Sequence, residues 1–159
     1  FYIRSAPGGV GIAADAPGEV STVGDINVSE DGSSAVVVAG EGVTLTNWTQ
    51  SGGDSILQAA ATVTQVDVND GTLTIEGDFT ITTLNHRSGE VVDNHIKTGG
   101  NSVTTLNLSN DASYDMSQTN ESRTIATLNV DVGISMALNA SVTITTNNRP
   151  AGSYTLAYN

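Results

Sequence analysis

Cysteine is absent from the 159 residues, so no disulfide and no thiolate metal site can form. Proline occurs three times, tryptophan once, phenylalanine twice and tyrosine four times. Aromatics make up 4% of the chain and charged residues 14%, so a core must be built from aliphatic side chains. No stretch carries apolar residues at helical spacing. No apolar run nears the roughly 18 residues that span a bilayer. Five basic residues stand against seventeen acidic ones, a net charge of −12, which disfavours nucleic acid and anionic membranes as partners. The first residue is Phe1, with no signal-like segment after it; either a leader has been removed or the numbering starts inside a longer product.

What remains is rich in Thr, Val, Ser, Asn, Ala, Leu, Asp and Gly. Thr and Val favour strands, and Gly, Asn and Asp favour turns. Many short strands are therefore expected.

The order of those strands is written in a repeat. Five segments align without gaps: Leu45-Thr46-Asn47-Trp48-Thr49-Gln50, Val63-Thr64-Gln65-Val66-Asp67-Val68, Ile81-Thr82-Thr83-Leu84-Asn85-His86, Val103-Thr104-Thr105-Leu106-Asn107-Leu108 and Ile125-Ala126-Thr127-Leu128-Asn129-Val130. The anchors Trp48, Val66, Leu84, Leu106 and Leu128 follow one another at spacings of 18, 18, 22 and 22. Five residues after each anchor comes Gly53, Gly71, Gly89, Asp111 or Gly133, which reads as a tight turn between two strands. One such unit cannot bury its apolar side alone. Stacked units, about 4.8 Å apart, bury a continuous file of anchors and pair each backbone with the next. The expected fold is all-β, a parallel β-solenoid of about five rungs. An antiparallel sandwich also fits the composition but not the spacing. Stacking predicts a Thr ladder through Thr46, Thr64, Thr82 and Thr104, and an Asn ladder through Asn85, Asn107 and Asn129. The four extra residues of the later units are expected in loops at 95–100 and 118–122.

Three regions follow: an extended arm or cap over 1–32, the solenoid over 33–140, and a capping hairpin over 141–159, formed by Val142–Thr145 and Tyr154–Tyr158.

Few residues suggest chemistry, and no catalytic, cofactor or metal site is expected. His86 occupies the slot of Val68, Leu108 and Val130, so it reads as a rung position. Asp93, His95 and Lys97 form a weak acid–base grouping. Asp67, Glu76, Asp78 and Glu90 fall at different offsets and read as solvated turns rather than a sugar-cleaving patch. Asp67-Val68-Asn69-Asp70-Gly71 lacks the calcium-binding nonapeptide pattern and reads as a turn. Thr columns raise the question of an ice-binding face, which would present Thr-x-Thr in register, but Thr72-x-Thr74, Thr80-x-Thr82 and Thr143-x-Thr145 fall at different phases of the repeat, so no such face is expected. Triplets such as Asn120-Glu121-Ser122 match the glycosylation pattern and are expected by chance in such a composition.

Ser102-Val103-Thr104-Thr105-Leu106-Asn107-Leu108 and Arg123-Thr124-Ile125-Ala126-Thr127-Leu128-Asn129-Val130 resemble the R-T-I-T-T-L-N-L repeats of tailed-phage virion proteins. The resemblance covers roughly residues 40 to 146, departs at Asp111 and Ala126, and carries no catalytic residues. Similar strings occur in bacterial surface adhesins. It implies a capsid decoration or cement subunit on the virion exterior, bound to the major capsid protein or other shell subunits; an arm that orders on the shell and a terminal cap would make the contact, and a homotrimer is the natural closed assembly. A prokaryotic surface adhesin or extracellular filament subunit is the alternative, and a carbohydrate-active enzyme on the same scaffold a weaker third.

Overall fold

The computed structural model describes residues 2–4, 10–12, 21–29, 36–39, 43–57, 61–76, 79–94, 102–117, 123–132, 134–138, 142–149 and 155–158. They form fourteen strands: β1 (Tyr2–Arg4), β2 (Val10–Ile12), β3 (Ser21–Ser29), β4 (Val36–Ala39), β5 (Val43–Leu57), β6 (Ala61–Ile75), β7 (Phe79–His86), β8 (Glu90–Asp93), β9 (Ser102–Leu108), β10 (Ser113–Asp115), β11 (Arg123–Val130), β12 (Ser135–Leu138), β13 (Val142–Asn148) and β14 (Thr155–Tyr158). Every pairing between them is parallel.

Two ladders result. The first runs β1, β3, β5, β6, β7, β9, β11, β13, and the second β2, β4, β5, β6, β8, β10, β12, β14. β5 and β6 belong to both, because each continues unbroken through the turn that the other coils make with separate strands. This is a β-solenoid. The five repeat units form its middle, and parallel pairing continues beyond them on both sides.

The five anchors are direct register partners: Trp48 with Val66, Val66 with Leu84, Leu84 with Leu106, and Leu106 with Leu128. All are fully buried. The inward side chains of β6 are Val63, Val66 and Val68, spaced three and then two residues apart. Two consecutive residues, Thr64 and Gln65, therefore lie on the outer side, and the same break of alternation recurs at Thr82–Thr83 and Thr104–Thr105. A strict strand alternates, so the first ladder changes direction at this point in every coil.

Glycine is required where the two ladders meet. Gly53, Gly71 and Gly89 have φ of 71°, 85° and 82°. A Cβ on Gly71 would collide with the Gly53 carbonyl oxygen, and one on Gly89 with that of Gly71. Asp111 was expected to take this role in the next coil, but the positive φ, 55°, belongs to Asn110. The turn from Leu108 to Ser113 holds one residue more than that from His86 to Glu90. Asn is the non-glycine residue that tolerates this conformation best.

Strand pairing decides the character of both ends. Strands β1, β2 and β3 join the ladders, so parts of residues 1–32 are coils and not a free arm. Val142–Asn148 pairs with β11 and Thr155–Tyr158 pairs with β12, both in parallel, so they are the next coil and not a hairpin. Segment lengths favour this outcome. The connection from 149 to 154 is too long for a tight hairpin turn and equals in length the one from 30 to 35 between β3 and β4. Loops 95–100 and 118–122 lie outside the described residues. The register moves from 18 residues across Ile75–Asp93 to 22 across Thr80–Ser102, which places the extra residues between β8 and β9.

Candidate functional site

The solenoid offers three polar arrangements: a ladder of amides, a charged group inside the core, and an outer threonine array.

The amide ladder runs along the first ladder after its change of direction. Asn85 Nδ2 donates to Asp67 Oδ1 at 2.9 Å, Asn107 to Asn85 Oδ1 at 2.7 Å, Asn129 to Asn107 Oδ1 at 2.6 Å, and Asn148 to Asn129 Oδ1 at 2.8 Å. All donors point toward the N-terminal end. A carboxylate accepts and never donates when ionised, so Asp67 is a natural terminus for the row. Asp67 also accepts from Gln65 Nε2 at 2.7 Å and lies 3.4 Å from Arg87 Nη1. Asn69 Oδ1 accepts from the same Arg87 nitrogen at 2.9 Å, and Asp70 Oδ1 from the Gly71 amide at 2.8 Å. Both carboxylate oxygens of Asp67, the amide oxygen of Asn69 and Oδ1 of Asp70 are thus engaged within the fold. Among the described residues no group of three metal-ligating side chains occurs.

Inside the core, polar residues replace apolar ones in otherwise aliphatic files. Gln50, Val68, His86, Leu108 and Val130 are successive register partners. Gln50 Nε2 donates to Gly53 O at 2.8 Å, and His86 Nε2 to Gly89 O at 3.1 Å. Both close the carbonyl of the glycine turn three residues ahead. His86 is fully buried, and burial pulls its imidazole below the ordinary range against the opposing pull of the Gly89 and Ser88 backbone. A carbonyl only accepts, so Nε2 carries the proton and Nδ1, which has no partner, is the bare nitrogen. The ring lies 6.4 Å from that of Tyr114.

Asp93 continues the inward file of Leu57 and Ile75. Arg123, thirty residues on, is also buried, and the two meet with Nε–Oδ2 at 3.3 Å and Nη2–Oδ1 at 3.4 Å. Tyr114 is buried as well, and its phenol is pushed up by burial and by the Asp93 charge, with Arg123 opposing. Of the acid–base grouping of Asp93, His95 and Lys97, Asp93 is buried against Arg123. His95 and Lys97 lie outside the described residues. Sequence reasoning passed over Arg123, although its position two residues before the inward Ile125 marked it as inward too. Of the scattered acids, Glu76 and Glu90 are exposed, Asp67 belongs to the amide ladder, and Asp78 lies outside the described residues.

The outer array overturns one expectation. Thr44, Thr62, Thr80, Ser102, Thr124 and Thr143 are successive register partners. Thr46, Thr64, Thr82, Thr104, Ala126 and Thr145 stand two residues along the same strands, between matched neighbours. Thr-x-Thr therefore recurs in register on β5, β6, β7 and β13, interrupted by Ser102 on β9 and Ala126 on β11. Thr80-x-Thr82 and Thr143-x-Thr145 share one phase, while Thr72-x-Thr74 lies on the second ladder. Each repeat unit opens on its inward residue, and the residue of the first column lies just before it.

No known protein family, curated protein or solved structure matches the chain.

Proposed function

We propose that this chain is a non-enzymatic structural protein of a virus shell, a decoration or cement subunit that binds the major capsid protein or other shell subunits. The unbroken register of the first ladder, from β3 through β13, is the observation that carries the reading. Such a body has one continuous core and pairs each backbone with the next coil, which makes it stiff. Its interior polar groups serve the fold: Gln50 and His86 close turns, and Asp93 pairs with Arg123. The likeness of the Thr-Thr-Leu-Asn-Leu units to phage virion repeats supplies the shell. Because β1, β2, β13 and β14 are coils, the contact is assigned to the end coils in place of a free arm. A homotrimer at a symmetry axis is the natural closed assembly.

Density-gradient fractionation of the source material tests the proposal with an antibody raised against the chain. Co-migration with intact particles is the expected result, together with a trimeric mass by light scattering. Recovery with the cell envelope instead overturns it and favours the surface adhesin or filament subunit.

A further inference from the structure

We infer that the threonine array on the first ladder is a binding face for a crystalline surface of water, and that the protein adsorbs to ice. This goes beyond the shell reading and does not rest on it.

Three features of the face carry the inference. The first is its two-dimensional regularity. Along the axis the partners Thr44, Thr62, Thr80, Ser102, Thr124 and Thr143 follow one another strand by strand, and the second column does the same. Strands repeat about every 4.8 Å, and residues two apart in a strand lie about 6.7 Å apart. The only register shifts between β5 and β6 lie between Gln50 and Asp54, beyond this face. A single small ligand uses a few members of such an array. A periodic ligand on the same few-ångström scale uses all of them.

The second feature is the lack of charge. The molecule carries a net charge of −12, yet neither column holds an acid or a base from Thr22 to Thr145. The second ladder differs: Asp54, Thr72 and Glu90 are register partners on its outer side. A charged side chain orders water radially around itself and disrupts a lattice. A threonine presents one hydroxyl and one methyl, held by a stiff χ1, so each threonine offers a hydrogen bond and an apolar contact in a fixed geometry, while Ser102 and Ala126 are the two positions that depart from it.

The third is exposure without anchors. Thr46, Thr62, Thr64, Thr80, Thr82, Thr104, Thr124, Thr143 and Thr145 are all exposed. No aromatic or arginine stands in either column. Protein interfaces concentrate their energy in such residues, and nucleic acid requires cations. The face suits neither. An uncharged lattice of donors and acceptors suits it.

Ice-affinity partitioning of the fluorescently labelled full chain tests the inference. Ice is grown slowly from a dilute solution, and the protein in the ice is compared with that in the liquid. Incorporation is expected for the wild type and for Glu90→Tyr, which alters the second ladder. Loss is expected for Thr64→Tyr and Thr82→Tyr, with circular dichroism confirming the fold. Should either tyrosine variant unfold, Thr82→Lys provides the same test with a flexible, soluble side chain. Exclusion of the wild type from ice overturns the inference, as does equal incorporation of the folded face variants. Adsorption to crystalline cellulose or chitin without entry into ice overturns it in favour of a polysaccharide face. An oligomer that Thr82→Tyr dissociates overturns it in favour of a second copy of the chain.

Discussion

Arg123 and Asp93 meet inside the solenoid with Nε and Oδ2 3.3 Å apart, Asp93 in line with Leu57 and Ile75 and Arg123 beside Val142 of the next coil. The two charges compensate each other across thirty residues of chain. A buried pair of this kind adds little net stability over an apolar pair, but removing one partner strands the other charge.

Arg123→Met is therefore expected to cost about 3–5 kcal/mol, because the buried Asp93 loses its guanidinium partner. Asp93→Leu combined with Arg123→Met is expected to recover most of that loss. Urea unfolding of the single and double variants measures both. If the single variant costs less than about 1 kcal/mol, the charge is compensated elsewhere and the pair is not the reason for its own burial.

The glycine turns give a second expectation. Gly71→Ala places a Cβ against the Gly53 carbonyl and forces a side-chain residue into the left-handed region. A loss of at least about 2 kcal/mol is expected. At Asn110, where φ is also positive, substitution by Gly is expected to be neutral and by Ala to be destabilising. Thermal melts of the three variants rank them, and equal tolerance of Ala at 71 and 110 contradicts the stacked-turn geometry.

His86 sets a pH dependence. Its folded-state pKa lies below the ordinary imidazole value of about 6.5 because burial disfavours the imidazolium. Between the folded value and 6.5 the unfolded chain binds more protons, so stability rises with pH across that window. Its contribution is complete above 6.5 and is lost as the pH falls through the depressed folded value. His86→Leu, which copies the register partner Leu108, is expected to flatten the stability profile below pH 6.5. Denaturant midpoints of both proteins over that range provide the check; parallel profiles rule out the neutral buried imidazole.

Much of the fold was legible because stacking makes equivalent positions explicit. Trp48, Val66, Leu84, Leu106 and Leu128 are a large apolar residue at one phase of the repeat, and coils that bury only one side leave such a signature. The amide ladder was legible for the same reason, since Asn85, Asn107 and Asn129 share a phase. Less legible were the end coils. Their units depart from the repeat: β11 to β13 is offset by 19 residues, not 22, and Asn147 stands opposite Leu128. The outer array was hidden in another way. Its first column lies just upstream of the aligned segments, and outward threonines need only tolerate water, so no apolar signal drew attention to them.

The sequence by itself determined that short strands stack in parallel, which side chains form the inner file, and where glycine must stand, because burial and backbone sterics act on each unit alike. Only the tertiary structure decided which residues meet across coils. The pairing of Arg123 with Asp93, the shift of the turn to Asn110, and the alignment of Thr44, Thr62, Thr80, Thr124 and Thr143 depend on register and loop length. Those are set when coils of unequal length settle on a common axis, and no single coil contains them.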